Sequence, residues 1–361
     1  MKKRILLISP FSGDEKAGHP NIDDQFFIQF LEKNRIKSRY ITSKHVRDCF
    51  AKNQTTQIKF EDNAELNPNS FLSCLKYLLS LNKKIENDIY FCGFSEKLLL
   101  AAYLVYFFKE STFTLIATNN FGKRRVKKYG TLLSLFYKIC RRKVKLIVTH
   151  STFEKSLVEK KFKLPAIIKR HHLCIPRSSL SPNRNDSVIT SLNVGFMGPD
   201  KLEKPVGDFL GLILADKKMT HNYFIVNCKT SDIPNEILSR KNVVVINKWL
   251  TPKEYDELYS SFSFAFMGHD ENFEGKLSGN LCDSFALAVP WISKKIEPYI
   301  ELSELFEQPI CLFYESGNML SLLDALEENK VVEMKGYLAK KSSEYFNVDA
   351  VESSLSLVFA D

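Results

Sequence analysis

The chain has 361 residues, 44% of them hydrophobic and 26% charged, a composition of soluble globular proteins that excludes disordered, collagenous and coiled-coil chains. Its length suits two domains of ~150 to 200 residues better than one. The formal net charge of +9 is local: residues 121–170 hold 16 Lys or Arg against two acids, +14, and the remaining 35 basic and 40 acidic residues sum to −5.

The opening run Ile5 to Ser9 is too short for the apolar region of ~7 to 15 residues that a signal peptide needs. The longest apolar stretch, Leu98 to Phe108, has 11 residues, short of the ~20 of a membrane-spanning helix. A cytoplasmic protein is expected. The eight cysteines include no CxxC pair and most sit in apolar runs, which predicts reduced core residues and no zinc site.

In chain order, β-rich runs alternate with apolar-periodic segments, the pattern of parallel strands joined by crossover helices. Strands are predicted over Arg4–Ser9, Ser38–Thr42, Asp88–Gly93, Thr112–Thr118, Lys145–Thr149 and Ala166–Arg170. Helices are predicted around Asp24–Asn34, Ser70–Leu81, Glu96–Phe108, Gly130–Lys138 and Phe153–Phe162. A polar stretch from Arg177 to Ser187, with Pro and Asn and no apolar face, reads as a linker. The alternation then restarts, with strands at Asn193–Gly198, Tyr223–Asn227, Val243–Asn247, Ser263–Met267, Trp291–Ser293 and Ile310–Tyr314 and helices over Val206–Asp216, Pro252–Ser261 and Asn280–Ala288. The expected organisation is an α/β protein with a first domain over 1–178, a linker over 179–190, a second domain over 191–344 and a C-terminal helix over 345–361. Two Rossmann-like halves facing across a cleft bind ligands outside the carboxyl ends of their strands.

The basic region has a recognisable design. Lys123-Arg-Arg-Val-Lys-Lys128 and Arg141-Arg-Lys-Val-Lys145 flank a segment in which Leu132, Leu133, Leu135, Phe136 and Ile139 recur at roughly helical spacing. A membrane-facing role for Lys123, Arg124, Arg125, Lys127, Lys128, Arg141 and Arg142 follows, each cation near anionic lipid being worth ~1 kcal/mol. A solvated rim on a buried helix and a nucleic-acid surface are the other readings.

The loop after the first strand, Ser9 to Pro20, contains Gly13 and Gly18 but neither GxGxxG nor GxxxxGK[ST], so dinucleotide-oxidoreductase and P-loop readings lose their support. In the second half, Gly198 ends a strand and is followed by Lys201 and Lys204, cations suited to a diphosphate. Ser278 and Gly279 stand where a loop becomes a helix, so their amides and the helix dipole offer an anion site, with Lys276 beside them. Asp283, one turn further, can accept from ribose hydroxyls, and Glu274 from those of a sugar.

These elements, with Trp249 to Tyr259, Phe264 to Met267, Ala286, Pro290, Thr149-His150-Ser151 and Ile175-Pro176, resemble the GT-B-fold nucleotide-sugar glycosyltransferases of bacterial surface polysaccharide and glycolipid synthesis. The resemblance spans most of the chain. It implies a donor-binding second domain that uses Gly198, Lys201, Lys204, Glu274, Lys276, Ser278, Gly279 and Asp283. It also implies a first domain that binds a glycan or lipid-linked acceptor near Gly13, Gly18, Asn119 and Asn120, at the inner face of the membrane. No metal or other cofactor is expected. Two departures stand out. The family's retaining branch often has two glutamates eight positions apart, whereas Glu274 and Asp283 are nine apart; and Thr118-Asn119-Asn120 offers no titratable group where a histidine or acid often follows a first-domain strand. Asp14, His19, Asp23 and Asp24 are then the candidates for a general base, each with a surface or capping role as its plain alternative. His171 and His172 read as loop residues, and His269-Asp270-Glu271 as a weak metal hint. The alternative function is a noncatalytic two-domain protein that uses its basic face for polyanions.

Overall fold

A computed structural model describes residues 5–13, 19–51, 57–81, 88–117, 120–177, 191–198, 205–315 and 317–359. The chain divides into two compact domains, 1–173 with 351–361, and 174–350.

The first domain runs β1 (Ile5–Ile8), α1 (His19–Lys33), β2 (Ser38–Thr42), α2 (Lys44–Ala51), β3 (Ile58–Asp62), α3 (Phe71–Leu81), β4 (Asp88–Cys92), α4 (Glu96–Val105), β5 (Thr112–Ile116), α5 (Lys123–Cys140), β6 (Val144–Thr149), α6 (Thr152–Leu157), a π-helical turn over Val158–Phe162 and β7 (Ala166–Ile168). The second runs β8 (Asn193–Met197), α7 (Gly207–Ala215), β9 (Asn222–Val226), α8 (Asn235–Leu238), β10 (Val243–Ile246), α9 (Pro252–Ser260), β11 (Phe264–Met267), α10 (Gly279–Ala286), β12 (Trp291–Ser293), α11 (Tyr299–Glu304), β13 (Cys311–Phe313), α12 (Met319–Asp324) and α13 (Glu328–Tyr345). A final helix, α14 (Val348–Phe359), carries the chain back into the first domain.

The first sheet has the order β3-β2-β1-β4-β5-β6-β7 and the second β10-β9-β8-β11-β12-β13, parallel throughout. Central strands such as Ile5–Ile8 and Phe264–Met267 are buried at every position, because helices cover both faces of such sheets. Strand order reverses between β1 and β4 and again between β8 and β11. These switch points, at the carboxyl ends of the strands, are where doubly wound folds leave a crevice for ligands.

Helix starts follow local chemistry. Ser95 caps α4 by accepting from the Leu98 amide at 3.1 Å, and Ser151 caps α6 through the Glu154 amide at 3.1 Å. Thr251 and Glu254 form a reciprocal capping box with Pro252 in the first turn of α9.

The predicted strands are all present. Sequence periodicity missed β3 and α2, a half-exposed edge pair, and the helices α8, α11, α12 and α13. The helix read from Tyr345 is α14, which starts three residues later at Val348, Tyr345 being the last residue of α13. Residues 351–359 belong to the first domain for a packing reason. Leu355 and Val358 join the core formed by Phe27, Phe30 and Tyr90, and Phe359 stacks on Tyr90 at 4.7 Å and on Phe30 at 5.6 Å. A Lys33–Glu352 contact of 2.6 Å and a bond from the Arg170 amide to Ser354 Oγ at 3.2 Å fix its outer side. The linker expected over 179–190 lies outside the described residues. The cysteines are unpaired, six of them buried and Cys49 exposed. No helix among the described residues is long and apolar enough to cross a membrane.

Candidate functional site

In the second domain, the β8–β11 switch point is built for close approach of a ligand to backbone. Gly198 follows β8 with φ +103°, a left-handed conformation that favours glycine, and its amide donates to the Val226 carbonyl at 2.9 Å. Gly268 follows β11; a Cβ there would stand 3.0 Å from both the Phe196 ring and the Pro205 carbonyl. Lys201 and Lys204 lie outside the described residues. The loop after β11 is shaped by Asp270, whose carboxylate accepts from the Asn272 amide at 2.8 Å, and by Gly275 at φ +80°. His269 is buried, bonded through Nδ1 to the Tyr299 hydroxyl and packed at a tilt against the Phe273 ring at 3.8 Å, so the metal hint at His269 gives way to a packed core histidine.

Ser278 is the buried residue before α10, and its hydroxyl forms no cap bond to the helix. The amides of Leu281 and Cys282 bond back to the Ser278 carbonyl at 3.1 Å. Those of Gly279 and Asn280 point out of the first turn, as the leading amides of a helix do. Asn280 Nδ2 donates to the Met197 carbonyl at 2.8 Å, which ties this helix start to the end of β8. Lys276 reaches over the Phe273 ring at 5.7 Å. Gly198, Lys276, Ser278 and Gly279 are thus carried by one loop cluster at the switch point, with Glu274 half-buried in the same loop.

Asp283 is a correction. It is 2% exposed, and its two oxygens are taken by Arg177 Nη2 at 2.6 Å and the Tyr255 hydroxyl at 2.8 Å. Arg177 also holds Asp256. Burial raises the Asp256 carboxyl and Arg177 offsets part of the rise. An external ribose cannot reach a carboxylate enclosed in this way; Asp283 fixes α10 against α9 and the Arg177 segment. Arg177 read as linker in the sequence, and nothing local signals a partner 106 residues away.

In the first domain, the β1–β4 switch point is lined by the segment Ser9–Gly13. Asn63 Nδ2 donates to the Ser9 carbonyl at 2.8 Å and to Ser12 Oγ at 3.0 Å, and the Gly13 amide donates to Asn21 Oδ1 at 3.1 Å. Asp14, Gly18 and Asn119 lie outside the described residues, and His19 opens α1. Asn120 is buried, and its Nδ2 donates to the Phe94 carbonyl at 3.0 Å.

Asp24 is fully enclosed and accepts from the Tyr40 hydroxyl at 3.0 Å and from the Thr42 hydroxyl. Burial pushes its pKa up to about 6, against the lowering effect of the Ser9, Thr42 and Tyr40 hydroxyls. Asp23, half-buried one residue earlier, lies 2.6 Å from His172 Nε2. Burial raises its carboxyl, and His172 with Lys169 and His150 behind it more than reverse this, leaving it low. Lys169 is buried, over the Phe27 ring at 4.5 Å and 3.5 Å from His172 Nδ1; burial lowers its pKa. His150 is pushed down to about 4 by burial and then by Lys169. His171 and His172, read from sequence as loop residues, are therefore part of a charged cluster that periodicity does not detect.

Helix α5 spans Lys123–Cys140, longer than the predicted Gly130–Lys138. It buries Val126, Gly130, Leu133, Tyr137 and Cys140 and turns Leu132 (66% exposed), Leu135 (57%) and Ile139 (48%) outward. Lys123, Arg124, Lys127, Lys128, Arg141 and Arg142 are exposed, whereas Arg125 turns onto Glu96 of α4 and leaves the outward set. A shallow groove of about 300 Å³ opens among Lys127, Lys128, Tyr129, Gly130 and Lys161.

No protein-family profile and no curated protein sequence matches this chain. Solved structures do. HepE of Anabaena, in complex with UDP and glucose, is 11% identical with a TM-score of 0.68, over 99% of both chains. A trehalose-6-phosphate structure from E. coli, bound with UDP-2-fluoro glucose, is 8% identical with a TM-score of 0.68, again over 99% of both. An α,α-trehalose-phosphate synthase (UDP-forming) from Burkholderia vietnamiensis is 9% identical with a TM-score of 0.63, over 98% of this chain and 99% of its own. The chain shares with these proteins the GT-B fold, two Rossmann-like domains on one polypeptide.

Proposed function

We propose that the protein is a glycosyltransferase that moves a sugar from a nucleotide-diphosphate donor to a surface-glycan or lipid-linked acceptor. The observation that carries this reading is the β8–β11 switch point, where a left-handed glycine, the start of α10 and Lys276 share one loop cluster. The similar folds of proteins in complex with UDP and glucose or bound with UDP-2-fluoro glucose support it.

In this reading the acceptor hydroxyl attacks the anomeric carbon, the bond from that carbon to the diphosphate oxygen breaks, and the nucleoside diphosphate leaves, with the hydroxyl proton passing to the departing phosphate or to water. Negative charge grows on the leaving phosphate. The Gly279 and Asn280 amides, the Lys276 ammonium and, from sequence, Lys201 and Lys204 meet that charge, which is electrostatic stabilisation of the transition state. Glu274 holds the transferred sugar. Asp283 acts as a positioning residue, through α10.

The acceptor side rests on α5. Its outward Leu132, Leu135 and Ile139 enter the interface of the inner leaflet, and the flanking lysines and arginines meet anionic headgroups at ~1 kcal/mol each. The protein is then cytoplasmic and peripheral to the membrane.

A thermal-shift panel of nucleotides and sugar nucleotides tests the donor assignment. Selective stabilisation by one nucleoside diphosphate and its sugar is expected. No shift across the panel, with RNA binding that falls steeply with salt, would instead favour the noncatalytic polyanion reading.

A further inference from the structure

We propose that Asp23, His171 and His172 form a site for one divalent transition-metal ion, with zinc the best chemical match. The site lies wholly in the first domain and does not depend on glycosyl transfer.

Two histidines and one carboxylate are a ligand set for zinc that leaves a fourth position open to water. Asp23 comes from α1, and both histidines come from the segment after β7. One ligand atom of each residue lies within 4.8 Å of the other two, and His172 Nε2 is 2.6 Å from Asp23 Oδ1. Zinc takes nitrogen at ~2.0–2.1 Å and carboxylate oxygen at ~2.0–2.2 Å, so ligand atoms of a tetrahedral site stand roughly 3.3 Å apart. The ion takes the place of the proton between His172 and Asp23, opens that contact by roughly 0.7 Å and draws His171 inward.

Orientation is the second observation. The His171 and His172 rings stack at 5.0 Å with 26° between their planes, so consecutive imidazoles lie side by side. On an extended strand they would point to opposite faces; the 3-10 turn that begins at His172 prevents this. His172 also lies flat on Phe26, at 4.6 Å and 10°, which fixes its plane. An aromatic shell of this kind limits water around a metal and holds a ligand in one rotamer.

Lys169 gives the proposal a specific consequence. Its Nζ is 3.5 Å from His172 Nδ1, and its charge acts on Asp23 across that ring, so ammonium and metal compete for the same carboxylate. Removing that ammonium strengthens metal binding without touching a ligand.

The test uses the full chain, freed of metal by chelation, then titrated with Zn²⁺ by calorimetry and with Co²⁺ as an absorption probe. One equivalent of Zn²⁺ is expected, and Co²⁺ should show the intense ligand-field bands of four-coordination, abolished by added Zn²⁺. His171→Gln and Asp23→Asn should each weaken Zn²⁺ by more than ~10-fold, since even outer-shell partners act on that scale. Lys169→Met should tighten it several-fold. Far-UV circular dichroism of each metal-free variant verifies folding, and buried His172 is left intact. Absence of saturable binding would overturn the proposal, and so would stoichiometric binding that survives both His171→Gln and Asp23→Asn.

Discussion

Each domain encloses a carboxylate near its switch point, and the two neutralise it differently. Asp24 of the first domain is surrounded by hydroxyls, with Tyr40 and Thr42 as its donors. Asp283 of the second domain receives one hydroxyl, from Tyr255, and the guanidinium of Arg177. Hydroxyls satisfy lone pairs but bring no net charge, so burial still pushes Asp24 up to about 6. A guanidinium does not deprotonate, and it serves Asp256 as well. The first domain therefore holds a carboxylate poised near neutrality, and the second holds a fixed ionic clamp.

The largest expected effect comes from breaking that clamp. Arg177→Ala leaves Asp283 and Asp256 facing each other without their cation, and removal of one partner of a buried pair costs about 3–5 kcal/mol. Urea unfolding at pH 7 should show the loss, and Asp283→Asn in the same chain should restore part of it. An unchanged midpoint would mean that the clamp contributes nothing.

Asp24→Asn sharpens the other side. The folded pKa is above the unfolded value of 3.8, so the protonated group contributes stability that is complete below about pH 4 and is lost as pH rises through about 6. The difference in stability between wild type and variant should change by up to about 3 kcal/mol across that window. His150, lowered to about 4, has the opposite slope but is common to both proteins and cancels. A constant difference across the window would show that hydroxyls alone keep Asp24 ionised.

Smaller effects belong to the surfaces. Lys276→Ala should weaken nucleoside diphosphate binding about tenfold, the scale of one charge-assisted hydrogen bond, with no change in fold. Leu132→Ser with Leu135→Ser should leave stability within about 0.5 kcal/mol, because both side chains already face outward, yet abolish flotation with anionic vesicles. Flotation equal to wild type would remove α5 from the membrane reading.

The sequence shows the architecture because buried parallel strands are unbroken apolar runs, and Ile5–Ile8 or Phe264–Met267 need no partner to be recognised. The half-exposed β3, IKFED, has no such run and was not recognisable. Ser278 and Gly279 were visible as a loop-to-helix junction. The bond partners of Asp283 were not, since Arg177 and Tyr255 reach it across 106 and 28 residues. Nor was the Asp23–His172 contact, in which α1 meets the segment after β7. Periodicity reports which face of an element is buried, and is silent on which side chains meet there.

The return of α14 to the first domain has a consequence for how the protein is made. Tyr90 and Phe30 keep an apolar face uncovered until Leu355, Val358 and Phe359 arrive. A ribosome adds residues at about 5–20 per second from the N-terminus, so the first domain waits for the whole of the second before its core closes. The domain that begins first is finished last, and during that interval its open face is exposed to aggregation and to chaperones.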